Sequence, residues 1–503
     1  MSETFQPWKD MPQDTGCISN LAQMSVWLRE CQDNHKRCES RATDYMPTRV
    51  LDISRQEGLA FLARGDECQK GRYAALSHCW GGHIPVRTTT LTLPTFQIEG
   101  IPLTSLPKTF REAIMVARQL GCSYLWIDSL CIIQGDGGDW ETEAPLMADV
   151  YSNSFVTLSA SASADSTGGL FFYNEGLLTK HTIERQREGS GLITVYARPA
   201  LDHPSYFLGE PSVETSGMTQ RVDPTPLMFR SWCFQEWLFS PRVLFFTRRE
   251  IIWQCREGRK CICGVYFNKS ERDSFKNRFT EQVLSTDAKV LWKLWRDAVK
   301  HYTYRLLTYD SDKLAAIAAI AKHFSNGPLG RYVSGMWEST LLHDLQWKAH
   351  DDMLEYRRRN SDLTMPSWSW ASVIGPVDMT FRDFDYMVKL VHILYEPDNA
   401  NSLVRPSARA IILRGMIAKG RVSDHGVLEI NGRKKKYIPD IYHDTAEGIE
   451  VYILQLTILE GLVICKLDSE EDTYRRLGYA EYNGDLEISF SEMGLTSTLL
   501  KLV

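Results

Sequence analysis

Two short apolar runs separated by a helical repeat constrain the fold of this chain more than any other feature. The first, Tyr73 to Ser77, is compact and β-compatible, and Gly81 and Gly82 stop it. The second, Ser123 to Ile127, is nearly all apolar, as a strand covered on both faces must be. Between them lie a loop rich in threonine and proline, Pro85 to Pro102, and then a helix. Pro107 falls in its first turn, Arg118 in its last, and Gly121 ends it. Phe110, Ala113, Ile114, Ala117 and Leu120 make its apolar stripe. Two strands joined by such a crossover run parallel, so this stretch predicts a βαβ unit.

The pattern continues downstream. Asp139 is expected to cap a further helix, with Glu141 and Glu143 in the first turn, where the dipole favours acids. Trp140, Ala144, Met147, Ala148 and Tyr151 share its buried face, and Pro145 moves its start or kinks it. Phe155 to Ala160 predicts a third strand, running into a small-residue turn from Ser161 to Gly169. A hairpin around Ile193 to Ala197 and a polar loop from Gly209 to Pro226 come next. Then a short helix, Trp232 to Phe239, precedes two strands, Val243 to Thr247 and Ile251 to Gln254, that complete the sheet.

The flanks differ in character. Upstream, a helical stretch starts near Ile18, and Arg49 to Ile53 alternates like a short strand. Residues 270–324 read as helical, with Trp292, Leu294, Trp295, Val299, Tyr302 and Leu306 at core spacing and a very apolar helix from Leu314 to Ala321. From about residue 365 the chain is β-rich, with strands at Ile411 to Leu413, Val451 to Leu456, Leu462 to Cys465 and Leu486 to Phe490. The expected organisation is a helical lead-in (1–72), an α/β domain (73–264), a helical segment (265–330) and a β-rich C-terminal domain (331–503).

Composition removes several classes. A chain of 503 residues with 43% hydrophobic content can bury more than one core. A net charge of −6 and a pI near 6.1 argue against nucleic-acid binding by bulk electrostatics. The basic clusters Arg357-Arg358-Arg359 and Arg433-Lys434-Lys435-Lys436 are short and read as solvated loops. The first thirteen residues carry no apolar secretory segment. Ile449 to Leu467, the most apolar candidate for a membrane span, is broken by Glu450, Gln455 and Glu460 and reads as two strands. No GxxxxGK[ST] phosphate loop occurs. The expectation is a cytoplasmic protein whose twelve cysteines are mostly reduced and buried.

One cysteine cluster invites a metal. Cys31, His35 and Cys38, at i, i+4 and i+7, are expected on one helix face. A zinc site needs a fourth ligand, with Cys17, Cys68, Cys255, Cys261 and Cys263 as candidates. Cys261 and Cys263 lack a usual knuckle spacing and no second C-x-x-C is present. Buried thiols beside a hydrogen-bonded histidine are therefore the expected reading, with no metal.

Five blocks in fixed order carry a resemblance. They are Tyr73-x-Ala75-Leu76-Ser77-x-x-Trp80-Gly81, Leu106-Pro107-x-Thr109-Phe110, Leu125-Trp126-Ile127-Asp128-Ser129-Leu130-Cys131-Ile132-x-Gln134, Met147-Ala148-x-Val150-Tyr151, and Ser231 to Leu244. Together they resemble the fungal heterokaryon incompatibility (HET) domain. Tyr304 to Asp310, Asp312 to Leu314 and Pro366 to Ser372 resemble segments C-terminal to that domain in single-chain members. Two residues depart: His78 stands where the family often has tyrosine, and Ile133 where many members have an acid. The resemblance implies a TIR/flavodoxin-like parallel sheet flanked by helices. It also implies a role in allorecognition and programmed cell death.

HET domains look distantly related to TIR domains, several of which cleave NAD with a glutamate in a Trp-Cys-x-x-Glu helix. Trp232-Cys233-Phe234-Gln235-Glu236 matches that pattern. Cleavage of the nicotinamide–ribose bond passes through an oxocarbenium-like state. Nicotinamide leaves as a neutral molecule, so no general acid is needed and one carboxylate suffices. Glu236 is thus the candidate catalytic residue. Its plainer alternative is a surface glutamate or an ion-pair partner of Arg230 or Arg242.

Ligands of open parallel sheets sit outside the carboxyl ends of the strands. Ser77, His78, Trp80, Gly81 and Gly82 follow one strand; Asp128, Ser129 and Cys131 follow the next. Gly81 and Gly82 suit close approach to a phosphate, or simply a tight turn. Trp80 or Trp232 suits stacking on a base, or the core. Asp128 suits ribose hydroxyls, or a turn cap. Arg230 joins this set as a candidate ligand-binding residue, and Cys131 is a weaker nucleophile candidate with His78 as base. No cofactor is expected, NAD being a substrate. Two other readings stand: a non-catalytic signalling module that self-associates or binds another incompatibility protein, and a member repurposed for biosynthesis.

Overall fold

In the computed structural model the parallel centre of the first sheet is built from strands buried on both faces. Residues 11–39, 45–82, 86–174, 181–187, 191–197, 225–264, 274–350, 357–362, 364–379, 385–424, 426–441, 448–467, 472–481 and 495–503 are described. The chain divides into two compact units, Met1–Arg278 and Phe279–Val503.

The first unit runs α1 (Ile18–Asn34), β1 (Arg49–Asp52), β2 (Leu59–Arg64), β3 (Tyr73–Ser77), α2 (Leu93–Ile98), β4 (Ile101–Pro102), α3 (Lys108–Gln119), β5 (Tyr124–Trp126) and α4 (Asp128–Cys131). It continues with α5 (Gly137–Glu143), α6 (Met147–Asn153), β6 (Val156–Ser159), the hairpin β7 (His181–Arg187) and β8 (Gly191–Ala197), α7 (Trp232–Phe239), β9 (Arg242–Phe246), β10 (Ile251–Cys255) and β11 (Arg259–Cys261). The main sheet has the order β11-β10-β9-β6-β3-β5-β1-β2-β4. Its centre, β5-β3-β6-β9, is parallel, and every residue of these four strands is buried. The flanking strands are antiparallel, so the sheet is mixed, and β1, β2 and β4 extend it beyond the βαβ unit. Since β5 and β6 follow β3 in sequence yet lie on opposite sides of it, the chain direction switches at β3. That is where open α/β sheets leave a crevice.

Several local expectations are corrected. Asp136, not Asp139, caps α5, its carboxylate accepting from the Gly138 and Asp139 N–H groups. Asp139 is drawn instead to Arg49, whose Nη2 donates to its Oδ1 at 2.7 Å. Trp140 is 43% exposed and does not join the buried face. Pro145 sits in a 3-10 turn, Ala144–Leu146, that breaks the helix into α5 and α6, as a residue without an N–H requires. α1 ends at Asn34, and a 3-10 turn (Lys36–Cys38) comes after it, so Cys31, His35 and Cys38 do not share a helix face.

The division between units falls within α8 (Phe275–Gln282). The second unit holds α9 (Ala288–Thr303), α10 (Asp312–Lys322) and a large, mainly antiparallel sheet organised on the long strand Ala408–Asp424. Glu450–Gln455 and Glu460–Lys466 form a hairpin in it, the two strands read from the apolar Ile449 to Leu467 run. Leu306, placed in the core by spacing, is 63% exposed because α9 ends at Thr303. The expected strand Leu486 to Phe490 and most of the Gly209 to Pro226 loop lie outside the described residues. No described helix is long and apolar enough to cross a membrane.

Candidate active site

Helix α7 is apolar nearly all round, and all of it after Trp232 is buried. Phe234 stacks between Trp237 and Phe275, and the Trp237 indole donates to Gln254 Oε1 of β10 at 2.8 Å. Lys276 Nζ donates to the Trp237 carbonyl at 2.7 Å, where a cation favours the helix C-terminus. Below that end, Ser240 Oγ donates to the Glu236 carbonyl and exchanges a 2.6 Å hydrogen bond with Thr157 of β6. The helix is thereby fixed against the parallel strands.

This packing brings Glu236 to the carboxyl end of β3. Ser77 Oγ, on the last residue of that strand, donates to Glu236 Oε2. Glu236 is only 6% exposed. Burial pushes its carboxyl up to about 7; the hydroxyls of Ser77 and Tyr151 and the charge of Arg230 oppose the rise, and Asp128 adds to it. Arg230 is occupied by the loop after β3, its Nη1 donating to the His78 carbonyl at 2.8 Å. Arg242, the other expected ion-pair partner, turns away to Cys31 Sγ and the carbonyls of Cys38 and Phe155.

The loops after β3 and β5 interlock. Trp80 Nε1 donates to Asp128 Oδ2 at 2.7 Å, while Asp128 Oδ1 takes the Ser129 N–H. Asp128 opens α4 and holds Trp80, and no side chain caps that helix. His78 is buried against the edge of Phe110, with Nδ1 3.7 Å from Asp128 Oδ1. Burial lowers its basicity, with Arg230 adding to the effect and Asp128 opposing it. Neither ring nitrogen of His78, nor the buried hydroxyl of Ser129, has a hydrogen-bond partner among the described residues. Buried polar atoms without partners are uncommon, and these three follow two neighbouring strands, β3 and β5.

The other candidates divide. Gly81 has φ +69°, and a Cβ there would lie 2.5 Å from Asp165 Cβ, so glycine is needed to seat this loop on the turn after β6. Gly82 is open on all sides. Trp232 lies half-buried one helical turn before Glu236. Cys131 faces inward: its sulfur accepts from the Ile127 N–H, and burial pushes the thiol up to about 12, the wrong direction for a nucleophile. Tyr151, assigned by its spacing only to a buried helix face, also neighbours Glu236. The Met147 to Tyr151 block was the signal that could have placed it here.

The first unit is thus an α/β domain, a sheet with a parallel centre flanked by helices, whose crevice holds a buried acid. Residues 73–236 match the family described as heterokaryon incompatibility protein (HET), so this unit carries a HET domain, a type linked to fungal allorecognition and programmed cell death. No curated protein and no solved structure matches the chain.

Proposed function

We propose that the HET domain is a death effector that cleaves the nicotinamide–ribose bond of NAD, with Glu236 stabilising the ribosyl cation. The observation that carries this reading is the burial of Glu236 against Ser77 at the switch in strand direction. Its TIR-like sequence context, Trp232-Cys233-x-x-Glu236, supports it. In this reading the ionised carboxylate faces the positive charge that develops on the ribose, and nicotinamide departs neutral without a proton donor. Ser77 orients the carboxylate. Asp128 keeps Trp80 in place beside the crevice, and the unpartnered nitrogens of His78 and hydroxyl of Ser129 supply groups for the ligand's polar edges. A water then takes the ribosyl carbon, passing its proton to the carboxylate and on to solvent.

The test is incubation of the purified full chain with NAD beside a Glu236→Ala variant. Nicotinamide release by the wild type, reduced at least about a hundredfold in the variant, is the expected result. Absence of turnover, together with cell death still triggered by the variant, overturns the reading in favour of a non-catalytic self-associating module.

A further inference from the structure

A second chemical cluster lies away from the crevice, where the chain before β1 meets the far edge of the sheet. Cys31 sits in the last turn of α1, His35 caps that helix, Cys38 closes the following 3-10 turn, and Cys255 ends β10. One ligand atom from each lies within 4.8 Å of all the others, and His35 Nδ1 is 3.2 Å from Cys255 Sγ. All three cysteines are buried, with 0–1% exposure, and none is in a disulfide. Two thiolates bonded at 2.3 Å to a tetrahedral zinc stand about 3.8 Å apart, so only small side-chain rotations separate this cluster from a closed shell.

The surroundings are arranged for a negatively charged ligand set. Arg242 Nε donates to Cys31 Sγ at 3.3 Å, and its Nη2 to the Cys38 carbonyl at 2.7 Å. The turn bearing His35 and Cys38 is locked to the turn after β10. Arg37 N–H donates to Glu257 Oε1 at 2.8 Å, and Arg256 Nη1 donates to the Arg37 carbonyl at 3.0 Å. Such outer contacts fix ligands in place before a metal arrives. A guanidinium also balances the single negative charge that three thiolates and a neutral imidazole leave on a zinc ion.

We propose that Cys31, His35, Cys38 and Cys255 bind one zinc ion in a closed structural site that staples α1 to the sheet. Binding transfers three thiol protons to solvent and forms three Zn–S bonds and one Zn–N bond. With no open position the ion does no catalysis. Through Arg242, which begins β9 directly after α7, the staple also steadies the strand next in sequence to the helix bearing Glu236.

The full chain, purified without added metal or chelator, is expected to contain one zinc by mass spectrometry. Replacement by cobalt(II) is expected to give thiolate-to-cobalt charge-transfer bands and the visible bands of a tetrahedral ion. Cys38→Ser and Cys255→Ser are expected to lose the metal. Cys261→Ser, which alters the neighbouring three-membered Glu250, Cys261, Cys263 group, is expected to keep it. If the ligand variants do not fold, the cobalt spectrum of the wild type still decides. Wild-type protein without metal and without charge-transfer bands overturns the proposal. So does metal that survives in Cys38→Ser but is lost in Cys261→Ser.

Discussion

Both units bury carboxylates, and the contrast lies in what faces them. In the second unit Asp440 is fully buried against Arg476, whose Nε lies 3.1 Å from its Oδ2. The remaining N–H groups of that guanidinium reach the carbonyls of Leu345 and Trp347, and its plane lies 3.6 Å from the Trp347 ring centroid. Asp344, also in the second unit, takes donors from Trp292 Nε1, Thr340 Oγ1 and the Trp337 N–H, yet burial pushes it up to about 6. Glu236 in the first unit is shifted similarly but is held by hydroxyls at a strand end, beside other polar atoms without partners. A raised carboxyl alone therefore does not mark a site. What sets Glu236 apart is its place at the end of β3 in the crevice, because unpartnered buried atoms such as Trp337 Nε1 and Trp368 Nε1 occur in the second unit too.

The sharpest way to break this comparison is to remove Arg476. Arg476→Met leaves the buried Asp440 facing only Arg359, whose Nη2 lies 3.7 Å from its Oδ2, and the expected loss is about 3 kcal/mol by denaturant unfolding. A loss under about 1 kcal/mol would mean the pair is not structural. Glu236→Gln should act in the opposite direction. A folded-state value of about 7 against 4.5 means that the native carboxyl keeps its proton where the unfolded chain has released it. Stability therefore falls as pH rises from about 4.5 to 7, and above that window the full penalty of about 3 kcal/mol remains. Glutamine removes it: the variant should match the wild type near pH 4.5 and exceed it by up to about 3 kcal/mol at pH 8. Equal stability at both pH values would show that burial does not perturb Glu236.

Asp344→Asn separates the two shifted acids. Asparagine offers one acceptor oxygen to donors that now use two, so at least one buried N–H or O–H loses its partner. The burial that raises Asp344 to about 6 also costs its ionised form about 3 kcal/mol at pH 8, which asparagine relieves. The two effects offset, so we expect a change within about 1 kcal/mol there, against the clear gain in Glu236→Gln. A gain of similar size in both would erase the distinction between the two acids.

The sequence made the parallel centre legible because fully buried strands must be apolar throughout and a crossover helix must show a 3.6-residue stripe. Glu236 was legible through the Trp-Cys-x-x-Glu spacing alone. The hidden part was non-local. Asp139 and Asp136 compete for one helix start, and the choice is made by Arg49, ninety residues upstream. Cys255, one of five thiols offered as the fourth ligand, is 220 residues from His35, and no spacing rule spans that distance. The antiparallel extension through β1, β2 and β4 depends on edge pairing that short, half-buried strands do not announce.

The smallest expected effect tests whether Ser77 serves the acid or only fills the strand end. Its hydroxyl donates to the ionised carboxylate and so favours ionisation; Ser77→Ala should push Glu236 further up. If NAD cleavage requires the carboxylate, its rate rises with pH through about 7 in the wild type and levels off above. In Ser77→Ala that limb should move to higher pH. The loss is expected to be about tenfold at pH 7, on the order of 1.4 kcal/mol for one charge-assisted hydrogen bond, and smaller at pH 9. A loss equal at all pH values would place Ser77 in ligand binding instead. The hydroxyl would then contact the ribose, and the carboxylate would owe its ionisation to Arg230 and Tyr151.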